Sequence, residues 1–269
     1  MAVPAASAAN RTVVAMHGVS KVFSNGTLAL SNMSLTVEQG EFLSLLGPSG
    51  CGKSTALRII AGLGAPSSGR IEWPASTINA KGLPQGDIGF VFQDPTLMPW
   101  ATVFGNVYLP LKLQGIGKDA ARPRIMETLA TVGLADFAEA YPRELSGGMK
   151  MRVSIARALV TNPKLLLMDE PFAALDEITR QKLNDDVLEL WRRSGVTVVF
   201  VTHSVFESAY LSNRIVVMRS RPGQVYADLP LETSATRSEA YRTSEEYRAT
   251  TALVSKALQD AIHAGGGNH

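Results

Sequence analysis

The stretch Phe42-Leu43-Ser44-Leu45-Leu46-Gly47-Pro48-Ser49-Gly50-Cys51-Gly52-Lys53-Ser54-Thr55 decides the fold. It opens with an apolar run of strand length, and Gly47 to Thr55 fits G-x-x-x-x-G-K-[ST] in the context that pattern needs, a strand before and a helix-forming run after. Glycines let the backbone wrap with successive N–H groups pointing inward, and a helix starting near Lys53 adds about half a positive charge at its N-terminus. Phosphates bind in such a field. Lys53 is expected to reach the terminal phosphates as a point charge, and Ser54 to place its hydroxyl on Mg²⁺, so the expected occupant is Mg-ATP. Cys51 lies inside the loop, where added bulk blocks phosphates and a helix start favours a thiolate. Alkylation there is expected to abolish turnover, and ATP to protect.

Working outward, apolar runs alternate with longer 3.6-period segments, the pattern of strands exchanging with helices around a mostly parallel sheet. Strands are expected at Phe42–Leu46, Ile88–Phe92, Leu165–Met168, Thr197–Val201 and Ile215–Met218. Glu177 to Ser194 places Leu183, Val187, Leu190 and Trp191 on one face, with Asp176 as its N-cap. Thr12–Phe23 and Ala29–Val37 alternate apolar and polar residues around the turn signal Ser24-Asn25-Gly26, which predicts an antiparallel layer. From Asp94 to Ser146 the chain carries Pro95, Pro99, Pro110, Pro123 and Pro142 and one helical run, Arg124 to Val132. This reads as a helical subdomain, about residues 95–150, inserted in a core domain of residues 12–230, with residues 231–269 a C-terminal helical tail. Met1 to Asn10 and Gly265 to His269 read as frayed ends.

Several polar residues fall just past the ends of these strands, where open α/β sheets bind ligands. Leu165 to Met168 ends in Asp169-Glu170. Beside a phosphate loop, Asp169 suits a Mg²⁺ partner and Glu170 the group that polarises the attacking water. Gln93 follows the strand ending at Phe92, and its amide oxygen can join the Mg²⁺ shell and sense the γ-phosphate. His203 follows the strand ending at Val201, whereas His17, His263 and His269 lie in the N-terminal strand and the tail. Leu145-Ser146-Gly147-Gly148-Met149 starts a further helix with Met149, Val153, Ala156 and Val160 on one face. Ser146 is its N-cap, and two glycines in a first turn, each costing up to about 1 kcal/mol relative to Ala, point to close approach of a ligand, a second anion site.

Composition limits the alternatives. Of 269 residues, 45% are hydrophobic and 19% charged, enough for a sizeable core. A formal net charge of +2 argues against a nucleic-acid-coating protein. Cys51 is the sole cysteine, so no intrachain disulfide can form and a reducing compartment is expected. No apolar run approaches the roughly 20 residues of a spanning helix.

With the loop at Gly47, then Gln93, Leu145 to Met149, Asp169-Glu170, Ala174-Leu175-Asp176 and His203 in this order, residues 12 to 225 resemble the ATP-binding cassette (ABC) ATPases. The resemblance implies a P-loop NTPase (RecA-like) core and subunits that pair head to tail. ATP then lies between the phosphate loop of one chain and the Ser146-Gly147-Gly148 helix start of a second copy. Phe23 matches the aromatic that stacks on adenine, Asp176 the loop that signals across the dimer, and His203 the residue that holds the γ-phosphate and water beside Glu170. Met149 stands where the commonest signature has Gln. That variant, the run Gln93 to Trp100, and Arg214 to Met218 followed by Arg221-Pro222-Gly223 are similar to importer subunits for nitrate, sulfonates and taurine. These are peripheral proteins of the cytoplasmic face of the bacterial inner membrane, where the helical insertion docks a permease served by an external solute-binding protein. Trp100 is expected either beside that groove or in the core of the insertion. The other reading, a soluble ABC protein of translation or DNA repair, calls for fused cassettes or a long coiled-coil insertion, and neither is seen.

Overall fold

The computed structural model describes residues 12–80, 82–84, 86–231 and 237–265. The segments expected to fray at the two ends lie outside these residues, Gly265 apart, which closes the last helix; His269 is also outside them. In chain order the strands are β1 (Thr12–Val22), β2 (Leu28–Glu38), β3 (Phe42–Leu46), β4 (Ser68–Glu72), β5 (Ile88–Val91), β6 (Leu165–Asp169), β7 (Thr197–Thr202), β8 (Arg214–Arg219) and β9 (Gln224–Pro230). The helices are α1 (Lys53–Ile60), α2 (Val103–Leu113), α3 (Lys118–Thr131), α4 (Gly147–Leu159), α5 (Glu177–Ser194), α6 (Val205–Leu211) and α7 (Glu245–Gly265). The chain divides into two compact units. One runs to Gln85 and resumes at Val196; the other is Gly86–Gly195.

In the first unit β3 lies between β7 and β8, parallel to both, and β9 adds antiparallel to β8. A strand with neighbours on both edges and layers on both faces has no polar side, and every residue of β3 is buried. Its one hydroxyl, Ser44, is satisfied by the hydroxyl of Ser212. The Phe42 and Phe200 rings, 6.0 Å apart between centroids, fill the space between β3 and β7. Helix α1 buries Ala56, Leu57, Ile59 and Ile60, each fully buried large side chain contributing about 1.5–3 kcal/mol. The Trp73 indole N–H, donating to the Ile60 carbonyl at 2.8 Å, satisfies a helix-end acceptor.

The antiparallel layer expected at the N-terminus is present, with β1 paired to β2. Its third strand, β4, pairs with the other edge of β1 and had no expectation. Arg214 ties this layer to the parallel strands. Its guanidinium donates to the Thr36 carbonyl at 2.9 Å, to Glu41 Oε1 at 3.1 Å and to both carboxylate oxygens of Asp228 at 2.7 and 2.6 Å. These bonds, to Asp228 first, hold its pKa above the ordinary arginine value. The C-terminal segment is more than an appendage. Val254 and Ala261 of α7 pack on Leu46, Ile215 and Val217, and buried Arg237 donates to the carbonyls of Tyr210 and Ser212.

In the second unit β5 and β6 are parallel, and α2, α3 and α4 pack with one another. Helix α3 begins at Lys118, ahead of the expected Arg124, with Pro123 inside it. Pro123 lies beyond the first turn, so the Asp119 carbonyl loses its helical donor there. Helix α5 has the expected bounds, and Asp176 accepts from the Thr179 N–H at 2.9 Å as its N-cap. That hydrogen bond holds the Asp176 carboxyl below its usual pKa. Trp100 is 77% exposed, which excludes the core alternative. Its loop is nonetheless anchored. The buried Asn106 amide accepts from the Met98 N–H at 2.8 Å and donates to the carbonyls of Met98, Ala101 and Thr102 at 3.0–3.2 Å.

Candidate functional site

In the first unit Leu46 of β3 is in register with Thr202 of β7, so Gly47 and His203 leave the same end of one strand pair. Gly52 precedes α1 with φ 91°, and no side chain caps the helix, a kind of helix start that favours anions. A Cβ on Gly52 would stand 2.7 Å from the Ala29 carbonyl oxygen, and one on Gly47 2.7 Å from that of Met218. Gly50 has φ 77° and open space around it. Lys53 is buried, and its ammonium donates to the Gly47 and Pro48 carbonyls at 2.8 and 3.0 Å. A buried cation held by the loop's own carbonyls is poised to take an anion. Ser49 and Gly50 are exposed, Pro48, Ser54 and Thr55 half-buried.

Cys51 departs from the expectation. It is fully buried, its sulfur lying 4.0 Å from the Lys53 ammonium and against Gly47. The thiol is packed beneath the loop, so an alkylator has no direct path to it. Phe23, just past β1, is 44% exposed, and the Lys21 ammonium lies 5.8 Å from its ring centroid. The ring retains an open face for stacking.

In the second unit Val91 of β5 pairs with Met168 of β6. Gln93 and Glu170, each two residues further, therefore leave the same end of that strand pair, and Asp169, largely buried, closes β6 between them. Glu170 has φ 44°, left-handed backbone that a non-glycine residue adopts at a cost of about 1–3 kcal/mol, and such outliers cluster at functional sites. Ser146 accepts from the Met149 N–H at 3.3 Å, confirming it as the cap of α4. The two glycines behind it differ. A Cβ on Gly147 would only touch Leu175 at 3.4 Å, whereas one on buried Gly148 would stand 2.7 Å from the Thr179 methyl. Gly148 is thus explained by the approach of α4 to α5, and only Gly147 and Ser146 are exposed. The helix start lies beside the Asp176 cap and away from Gln93: Arg157, which touches the loop after Gln93, is about 16 Å along the axis from Ser146.

A profile of the ABC transporter family matches residues 30–173, more than half of the chain. The chain belongs to the ABC transporter family. This ABC protein is 43% identical over 242 residues to an aliphatic sulfonates import ATP-binding protein of Bacillus licheniformis, covering 89% of this chain and 91% of the other. It is 41% identical over 241 residues to a nitrate import ATP-binding protein of Synechocystis sp., covering 88% and 87%. A dimeric ATP-binding cassette in a post-hydrolysis state, bound to ADP and Pi, superposes with a TM-score of 0.70 at 35% identity, over 82% of this chain and 100% of that one. This ABC protein accordingly has the P-loop NTPase fold, binds ATP and hydrolyses it. Among its described residues no helix is long and apolar enough to cross a membrane.

Gly223 had no site role in the sequence. A Cβ there would collide with the Cys51 carbonyl oxygen and lie 2.6 Å from that of Ala29, while its own N–H and carbonyl bond to Ala29 and Ser31. It is a spacer between the phosphate loop and β2. Proline-glycine at 222–223 is its only local signal, and that reads as a turn.

Proposed function

We propose that this chain is the ATPase subunit of an importer for a small nitrate-, sulfonate- or taurine-like solute, working as a head-to-tail dimer on a separate permease at the cytoplasmic face of a bacterial inner membrane. The observation that carries the site assignment is Glu170, held in left-handed backbone at the end of β6 beside Gln93. Strain at Glu170, next to the largely buried Asp169 carboxylate at a strand end, suits a group that must hold a water.

In this reading the Gly47–Thr55 amides and Lys53 bind the phosphates, and Phe23 stacks on the adenine. His203 contacts the γ-phosphate, and Glu170 takes the proton of the attacking water. Ser54, Gln93 and Asp169 fit Mg²⁺. They offer a hydroxyl, an amide and one carboxylate, hard oxygen donors, and no cluster of three or more His, Cys, Asp or Glu able to hold a metal exists among the described residues. Mg²⁺ is commonly bound in this way, by one or two carboxylates with nucleotide phosphates and water filling the shell. When bound it neutralises phosphate charge. Ser146 and Gly147 of a second copy cover the γ-phosphate from the other side, and Asp176, next to that helix start, relays occupancy between the two sites. The relatives named for sulfonate and nitrate import support the solute class, and the dimeric cassette supports the pairing.

Glu170→Gln tests the reading. Turnover is expected to fall at least about 10²-fold, with ATP binding kept and an ATP-dependent dimer trapped on sizing chromatography. A variant that hydrolyses ATP at the parental rate, or stays monomeric at saturating ATP, refutes it.

A further inference from the structure

Arg157 sits in the last turn of α4 and reaches the loop that leaves β5. Its guanidinium donates to the Pro95 carbonyl at 2.8 Å, the Thr96 carbonyl at 2.9 Å and the Thr96 hydroxyl at 3.0 Å. Three bonds from one planar fork to two consecutive residues define an orientation as well as a distance, and none survives a shift of the loop by more than a fraction of an ångström. The grip falls where the backbone is least content. Thr96 has φ 46°, a conformation a β-branched residue adopts only when its surroundings impose it. On the far side Asn106 fixes Met98 to Thr102. The chain from Gln93 to Thr102 is therefore held at both ends of its turn, and one of the two anchors is α4.

We infer that Arg157 is a positioning residue that makes Gln93 and the Ser146 helix start move as one piece, coupling the two ATP sites of the dimer. The inference rests on the paired-site reading above. There, Gln93 reads the nucleotide of its own chain, while Ser146 and Gly147 serve the nucleotide of the second copy. A helix transmits displacement along its axis, so a shift of Gln93 upon γ-phosphate binding passes through Arg157 to the helix start some 16 Å away. Without the fork, the loop adjusts locally and α4 stays where it was. The strand pairing of β5 still places Gln93, and Ser146 still caps α4; what is lost is their correlation.

The test compares the full chain with Arg157→Gln and Arg157→Lys, alone and combined with Glu170→Gln. Equilibrium binding of a fluorescent ATP analogue to the monomer serves as the control expected to be unchanged, and thermal unfolding shows that each variant is folded at the assay temperature. Arg157→Gln is expected to turn a sigmoidal dependence of turnover on ATP into a hyperbolic one and to lower kcat on the order of 10- to 100-fold, the loss that misplacing a reacting group produces. Combined with Glu170→Gln, it is expected to raise the ATP concentration needed for dimerisation about tenfold, within the usual range of coupling between sites. Arg157→Lys, whose single charge reaches one carbonyl, is expected to restore part of both effects. Unchanged sigmoidicity and kcat in Arg157→Gln, or dimerisation at the same ATP concentration as Glu170→Gln alone, overturns the inference. Should Arg157→Gln not fold, Thr96→Val removes one bond from the loop side; a smaller effect in the same direction supports the coupling, and parental kinetics overturn it. If Glu170→Gln itself stays monomeric at saturating ATP, the paired-site reading falls and the coupling falls with it.

Discussion

The ammonium of Lys53 donates to the carbonyl of Gly47 at 2.8 Å, closing the phosphate loop on itself. The loop is thereby preorganised around a buried cation, and bound phosphates replace carbonyl oxygens as its partners. Lys53→Ala is expected to lower kcat by roughly 10²–10³, the usual loss of a preorganised electrostatic contact, with KM for ATP raised. The substitution also takes the ammonium donor from the buried Gly47 carbonyl, so stability is expected to fall by about 1–3 kcal/mol. Turnover within tenfold of the parent would show that the charge does not serve the phosphates.

Gly50 and Gly52 both have left-handed backbone, but only Gly52 is enclosed. Gly50→Ala meets open space and is expected to cost about 1–2 kcal/mol of stability with measurable ATPase activity. Gly52→Ala adds a 2.7 Å contact with the Ala29 carbonyl to the same strain, and should displace the loop and remove nucleotide binding. Paired titrations with a fluorescent nucleotide decide the matter; equal affinity in the two variants contradicts it.

Trp100 presents a large apolar surface on a loop that Asn106 holds still. An exposed tryptophan on a rigid support suits a docking residue for the proposed permease. Trp100→Ala is expected to leave the ATPase rate of the isolated subunit unaltered and to abolish copurification with the permease and transport in reconstituted vesicles. Full transport by the variant would place the docking surface elsewhere.

Arg214 joins Thr36, Glu41 and Asp228, and its removal leaves the largely buried Glu41 carboxylate without its cation. Arg214→Ala should destabilise the first unit by about 2–4 kcal/mol, read as a lowered urea midpoint. Because the folded pKa of Arg214 is raised, the stabilisation is complete throughout the neutral range and is lost only as pH rises through that alkaline value. A midpoint within experimental error of the parent would show the network to be ornamental.

The strands β3, β6 and β7 were legible because burial on both faces leaves them nearly continuous apolar runs, and β3 has the expected bounds. β4 was not, since Ser68-Gly69-Arg70-Ile71-Glu72 has a single apolar side chain and is held in place by its partner β1. β9, an edge strand ending at Pro230, was missed although it carries Val225, Tyr226, Ala227 and Leu229, because none of its residues is fully buried and its pairing with β8 holds it in place. At the candidate site the residues that follow strand ends were found by position alone. Gly148, Arg157 and Gly223 act through neighbours 31, 61 and 172 residues away in sequence, Thr179, Thr96 and Cys51, and no local period encodes such contacts.

The burial of Cys51 beneath the phosphate loop gives the lone thiol a use other than reactivity. A reagent can reach the sulfur only when the loop lifts off Gly47, so the rate of labelling at excess reagent is a clock for that opening. Nucleotide that holds the loop shut should slow the clock without ever touching the sulfur.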